Sequence, residues 1–419
     1  MMKGARPLLL LALAAVLSGC GLLQKRLVTL CTDRPEMAAY VEYFNTLPLD
    51  CRVELYYQSD PVQSLLQKGP SGQRVDLVLG RWLNGTAATR NLSSLDSLFR
   101  RNRLRREEFY QPLLAAGVHD RRQLLLPFSF NLPAVVFSTG ELTQDVPNLT
   151  VTLDYLKAKG AQFNQAVRSS LVRMGFSPTW SEEFLYGAAA LLGAGFREGS
   201  EGQLRWDSAG LSQARSYLQE WVTEANGGLE QDTAFRDKYL TAPLPRLLED
   251  GRILFYPTDS GQLYEQLPAQ GEEPAFRWLV GADGAEGQIQ VQDDMLYFGI
   301  PKGSRRKRDA RLFLAWIFLP ETQARLLEIG RQKRLKSFGL AGGLSALRAV
   351  SEREFPQYYR FLLGRLPPEQ MLRAPTPKPA SWGELKSQVL LPWLAGYVSG
   401  DQGEASLSER LKSYRAGKP

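Results

Sequence analysis

The chain has 419 residues, 44% of them hydrophobic and 23% charged, with one histidine and three cysteines. At roughly 150 residues per domain this gives two or three domains, each able to bury its own core, and it excludes collagen-like, coiled-coil, disulfide-scaffold and wholly disordered classes. Soft ligands are too few for a zinc or iron–sulfur site, no charge-free apolar run is long enough to span a bilayer, and no cofactor is expected.

Residues 1–19 combine a basic start (Lys3, Arg6) with a ten-residue apolar stretch from Leu8 to Leu17. That is too short for a spanning helix and suits an export signal. It ends in Leu17-Ser18-Gly19-Cys20, which resembles a bacterial lipobox. The resemblance implies lipidation of the Cys20 thiol, cleavage just before it, and a body held at a membrane. An ordinary secretory signal with an incidental cysteine is the other reading. Without Lys3 and Arg6 the exported chain carries 49 basic and 44 acidic side chains, net +5 over 400 residues.

Elements then alternate. Leu27 to Cys31 reads as a strand, and Met37, Tyr40, Val41 and Phe44 form one stripe of a helix over Pro35 to Thr46. A strand over 52–57, a helix opened by Asp60-Pro61 and a strand over 75–80 complete a β-α-β-α-β order, which implies a parallel sheet with right-handed crossovers. Ligands of such sheets sit beyond the carboxyl ends of the strands, here Thr32-Asp33-Arg34 and Arg81-Trp82. If the first two strands are parallel neighbours, Cys31 closes one and Cys51 opens the other. At about 3.3 Å per residue they are too far apart to bridge, so two free thiols are expected.

Two arginine-rich runs, 100–106 and 305–308, lie beside Glu107, Glu108 and Asp309 and interleave no aromatics as a nucleic-acid platform would. A solvated face or an attraction to anionic headgroups fits an exported protein, and no nucleic-acid partner is expected. Polar helices occupy 94–117, and 123–137 gives two strands split by prolines. The stretch 140–255 is mainly helical, with stripes at 150–158, 181–194 and 208–225. Strands at 252–256, 276–281 and 295–300 follow, then helices at 305–318 and 320–329, a proline-rich linker at 375–379 and a last helix near 382–396.

Several of these segments line up in order with one family. Val28-Thr29-Leu30-Cys31-Thr32-Asp33 resembles the opening strand of the extracellular solute-binding proteins of ABC transporters, in the sugar-binding branch. Arg74-Val75-Asp76-Leu77-Val78 is similar to a later strand of that family, and Leu126-Pro127-Phe128-Ser129 to its first interdomain crossing. Gly299-Ile300-Pro301-Lys302-Gly303-Ser304, with Ala310, Phe313, Leu314, Trp316 and Pro320-Glu321-Thr322-Gln323, resembles its late strand–helix–helix segment. The resemblance implies a two-lobed α/β fold of periplasmic-binding-protein type II, hinged at crossings near Pro127, Pro257 and Pro320. The expected division is an export signal over 1–19, one lobe from 20–128 plus 258–319, and a second from 129–257 plus 320–419. It further implies a monomer that catalyses nothing, lipid-anchored in the cell envelope and facing the periplasm or exterior. Its partners would be a neutral sugar and the membrane subunits of an ABC permease.

Candidate ligand groups follow from the loops. Asp33 could accept two sugar hydroxyls, or could cap the next helix in a box with Glu36. Trp82, beside Arg81, offers a flat apolar face and one N–H donor, or packs under its loop. Arg34 and Arg81 are the nearby cations, either open to engagement by Asp33 or Glu36. Phe176, Ser177 and Trp180 lie in a polar and aromatic loop before an apolar helix, which Ser181 could cap. Tyr256, Asp259 and Ser260 lie at the expected second crossing, and Ser129 at the first. Trp206, Trp221, Trp278, Trp316 and Trp393 read as core. A competing class, an anchored glycan hydrolase, would need two carboxylates, which Asp33 and Asp259 could supply. The only histidine, His119, sits in an Arg/Asp-rich loop. A ligand-free adhesin or sensor is a third reading.

Overall fold

A computed structural model describes residues 25–66, 74–138, 149–266, 275–281, 287–400 and 405–416. The export signal and Cys20 lie outside the described residues. Among those described, no helix is long and apolar enough to cross a membrane.

Two sheets organise the chain. The first runs in the order Leu344–Ser345, Leu125–Phe130, Leu296–Gly299, Leu77–Arg81, Arg26–Thr32, Cys51–Tyr57. Its last three strands are parallel, as the β-α-β order requires, while Leu296–Gly299 is antiparallel to both its neighbours. Leu77, Val78 and Leu79 are all fully buried, the continuous apolar run of a strand covered on both faces. The register pairs Arg26 with Cys51 and Cys31 with Tyr56, so the cysteines sit at opposite ends of adjacent strands. Both are buried and free.

The helix Met37–Thr46 buries Met37, Tyr40, Val41 and Phe44 against this sheet. Phe44 meets Phe313 edge-on at 5.0 Å and Trp316 at 5.0 Å, which seats the helix Lys307–Ile317 alongside. The Asp33–Glu36 capping box does not form: Glu36 occupies the cap position with no side-chain bond to the helix.

The second sheet has the order Phe255–Asp259, Pro133–Phe137, Ala275–Val280, Thr150–Thr152. A helical body around Phe176, Trp221 and Trp382 packs on it, built from Glu182–Ala189, Ser208–Glu220 and Leu391–Val398. Trp221, Trp278 and Trp393 are buried, and Trp206 and Trp316 are half-buried against the same cores.

The chain passes between the sheets at 131–132, between 281 and 295, and again over 374–381. Only the first lies near an expected crossing. Pro257 falls inside an edge strand, where a residue without an N–H is tolerated, and the next strand returns to the same sheet. Pro320 opens the helix Pro320–Gln332 at a position where no N–H is needed, and that helix packs on Met37–Thr46. Ala275–Val280 therefore belongs with the second sheet and Pro320–Gln332 with the first, opposite to the division expected from sequence.

Candidate functional site

A cleft of about 420 Å³ lies where the two sheets approach each other. Arg81 and Trp82, at the carboxyl end of Leu77–Arg81, form one wall. Pro133, Thr258 and Asp259 come from the second sheet, Ser181 and Glu183 from the start of a helix, Gln292, Asp293 and Asp294 from the second crossing, and Lys386 and Ser387 from the last helical segment. The volume lies in the range of small-molecule clefts.

Charge in the cleft is mostly paired. Arg81 holds Asp33 at 3.2 Å, and Arg34 approaches the other oxygen of that carboxylate at 3.3 Å. The Arg81 guanidinium also lies 4.8 Å from the centre of the Trp82 ring. Lys386 pairs with Glu183 at 2.7 Å and with Asp293 at 3.5 Å. Asp293 Oδ2 accepts hydrogen bonds from Tyr186 Oη and Trp382 Nε1, both at 2.8 Å. Burial alone would raise the Asp293 carboxyl, but Lys386, Lys378 and these two donors outweigh it and hold it below the ordinary value. Burial likewise acts to lower Lys386, and the charges of Asp293 and Glu183 overcome it.

Two cleft carboxylates, Asp259 and Asp294, form no ion pair among the described residues. Asp259 caps the helix Ser260–Glu265, accepting from Gly261 N–H (2.8 Å) and Gln262 N–H (2.9 Å). Burial, opposed by the Gln262 bond and reinforced by Asp294, pushes its carboxyl up to about 6. Asp294 is also raised, by burial and then by the charge of Asp293, against the pull of Arg34. Among the described residues, Asp294 Oδ1 and Trp82 Nε1 are buried with no hydrogen-bond partner. Such orphans are rare in folded proteins and mark places where a further group fits.

Asn131 ties the hinge together. Its Oδ1 accepts from Ser260 Oγ at 2.7 Å, its Nδ2 donates to the Gly342 carbonyl at 3.0 Å, and its carbonyl accepts Gln292 N–H at 3.0 Å. The first crossing is thereby bonded to the second. Away from the cleft lining, Glu198 Oε2 accepts from Thr86 N–H (2.6 Å) and Oγ1 (2.9 Å), a contact between residues 112 apart in the chain. Gly383 lies so close to Trp82 that a Cβ there would sit 2.7 Å from the indole ring.

Of the residues singled out from sequence, Arg81, Trp82 and Asp259 line the cleft. Asp33 and Arg34 stand behind them, bound to Arg81 and to each other. The others are elsewhere. Phe176 is fully buried among Trp180, Phe184 and Phe255. Trp180 stacks on Phe235 at 5.5 Å, and Ser177 Oγ bonds Thr179 Oγ1 at 3.1 Å. Tyr256 is buried in its strand, Ser129 lies inside the first sheet opposite Ser345, and Ser260 is a hinge residue that accepts Leu132 N–H at 3.1 Å. Ser181 does both jobs: it caps its helix by accepting Phe184 N–H, and it lines the cleft. Sequence reasoning missed Asn131, Gln292, Asp293, Asp294 and Lys386. The one available signal was the Asp293-Asp294 pair before a strand, where two adjacent carboxylates need a reason to be half-buried.

No protein-family model matches the chain, and no curated protein matches it in sequence. Solved structures do match its fold. It superposes on a sugar-binding protein of the phytopathogen Xanthomonas citri with a TM-score of 0.65 at 14% identity, over 92% of this chain and 95% of that chain. A cyclo/maltodextrin-binding protein complexed with maltotetraose gives 0.63 at 16% identity, over 93% and 96%. An ABC substrate-binding protein of Listeria monocytogenes in complex with cycloalternan gives 0.61 at 15%, over 94% and 97%. The chain has the two-lobed α/β fold of ABC solute-binding proteins.

Proposed function

We propose that this protein is the substrate-binding component of an ABC importer, capturing a carbohydrate between its two lobes and delivering it to a permease. The observation that carries this reading is the cleft itself. Groups from both sheets, from the second crossing and from the last helical segment line one volume, and two of the lining residues, Trp82 and Asp294, each carry a buried polar atom (Nε1 and Oδ1) with no partner among the described residues. A sugar that reaches them would supply both partners, since each hydroxyl donates and accepts. The remaining lining offers Trp82 as a flat apolar face and Gln262, Gln292, Ser181 and Ser387 as neutral hydrogen-bonding groups. Both cations of the cleft are already committed to carboxylates, so an anionic ligand would have to displace one. A neutral mono- or oligosaccharide fits without that cost. The solved proteins of the same fold that carry maltotetraose and cycloalternan agree with the choice of ligand class.

Lipidation of Cys20 would hold this body at the outer face of a membrane. Two or three acyl chains at about 0.8 kcal/mol per buried methylene are enough for stable anchoring. One observation favours the hydrolase alternative: Asp259 and Asp294 are two carboxyls lining one cleft, and glycosidases work with a pair of carboxyls, one protonated and one ionised. Incubating the purified protein with labelled neutral saccharides separates the readings. Stoichiometric capture of unchanged sugar is expected, and turnover would favour the enzyme.

A further inference from the structure

The two arginine-rich runs, two hundred residues apart in sequence, converge in the fold. Ser93 N–H donates to the Ile300 carbonyl (2.8 Å) and Lys302 N–H to the Asn91 carbonyl (2.7 Å). Arg311 Nη2 donates to the Ser94 carbonyl at 3.1 Å, and Arg101 is near enough that its charge, after burial, depresses the Arg311 guanidinium. Segments 90–106 and 302–311 together hold twelve basic residues and only two acids. Both acids are spoken for, Asp96 by Arg106 at 3.5 Å and Asp309 by Arg26 at 3.0 Å. Arg101, Lys302, Arg305 and Arg308 are exposed, and none is ion-paired among the described residues.

The Arg26–Asp309 pair also fixes where the chain enters the fold: beside the 305–308 run. Cys20 is six residues upstream of Arg26, and six residues reach at most about 20 Å. A lipid on Cys20 would therefore hold the Arg26 end of this face within about 20 Å of the membrane surface, a tether short enough to let the face meet the headgroups.

We propose that this face docks on an anionic lipid bilayer, holding the anchored body in one orientation. The tether argument rests on reading Cys20 as lipidated; the charge argument does not. Each Lys or Arg near such a surface strengthens binding about fivefold, so a handful suffices to orient a body that is already tethered.

The test uses the exported chain carrying Cys20→Ala, which keeps the whole folded body without acyl chains, and vesicles of phosphatidylglycerol with phosphatidylcholine or of phosphatidylcholine alone. The chain should bind only the anionic vesicles and lose binding when salt rises to 1 M. Neutralising Arg101, Lys302, Arg305 and Arg308 to Gln should weaken binding at least tenfold with an unchanged melting curve. Neutralising Arg197, Arg205, Lys412 and Arg415 instead alters net charge equally and should leave most of the binding. Equal loss in both variants, equal binding to neutral vesicles, or no vesicle binding by the parent chain overturns the proposal. The last result would point to an acidic protein surface as the partner. The mass of the wild-type exported chain decides the lipidation of Cys20 separately.

Discussion

Asp293 is the residue on which the arrangement of the cleft floor most depends. Its side chain is 8% exposed and receives three partners: Tyr186, Trp382 and Lys386, the last itself only 12% exposed. In Asp293→Asn the remaining oxygen can still accept from Tyr186 and Trp382, but an NH₂ group or a neutral oxygen then faces Lys386. Removing one member of a buried pair costs about 3–5 kcal/mol. Lys386 keeps Glu183, an exposed partner, so the loss should lie near the lower end, at about 3 kcal/mol. Asp293→Ala additionally orphans two buried donors at about 1–3 kcal/mol each and should cost more. Lys386→Met removes the cation, and in the Asp293→Asn/Lys386→Met double variant the losses should fall short of additive by about 1–3 kcal/mol. Urea unfolding followed by tryptophan fluorescence reads all four variants against the wild type. Because the folded carboxyl lies below its unfolded value, its contribution is full above the ordinary carboxylate range and disappears as pH falls through the lowered value. The gap between wild type and Asp293→Asn should thus be constant near neutrality and close only in strong acid. A cost under about 1 kcal/mol, or strictly additive losses, would refute the coupling inferred from these contacts.

Trp82→Ala should weaken saccharide binding by roughly 5- to 100-fold, the worth of one stacking face and one hydrogen bond. Trp180→Ala, by contrast, should leave affinity nearly unchanged while costing about 1–3 kcal/mol of stability, less than a fully buried tryptophan, through its lost packing on Phe235, as calorimetry of both variants would reveal. Asp259 titrates near 6, raised above its unfolded value, so ligand-free stability should fall as pH rises from about 4 to 6. If its ionised form accepts a sugar hydroxyl, affinity should move the other way, dropping as pH falls below 6, and a flat affinity profile in the same titration would remove Asp259 from the site. Denatured without reductant, the exported chain should yield Cys31 and Cys51 as alkylatable thiols, and an oxidised mass with none free would contradict the parallel register. Cys20→Ala should abolish lipid labelling and release the chain from the membrane fraction.

The parallel half of the first sheet was legible because its signals are local. Alternating strands and an apolar stripe at i, i+3, i+4 and i+7 pointed to parallel pairing of those three strands and, if the first two are neighbours, to the separation of the two cysteines. The crossings were not, because a proline marks a local backbone constraint rather than a change of sheet. Pro257 satisfies an edge strand and Pro320 a helix start, and neither redirects the chain. For the site, the rule that ligands meet the carboxyl ends of parallel strands located Arg81 and Trp82, with Asp33 behind them. The aromatic loop at 176–180 misled because Phe176 and Trp180 have buried partners far along the chain, Trp221, Phe255 and Phe235, that no local pattern announces. Asp293, Asn131 and Lys386 matter through contacts spanning about ninety residues or more, and only the folded chain brings those together.

Equilibrium dialysis of the purified exported chain against a panel of labelled neutral mono- and oligosaccharides, with the bound fraction recovered and weighed by mass spectrometry, tests carbohydrate capture most directly. One saccharide held per chain, recovered unchanged, and lost in Trp82→Ala is the predicted result. A cleaved product, or no retention of any saccharide while an amino acid, polyamine or metal ion is retained, would contradict it.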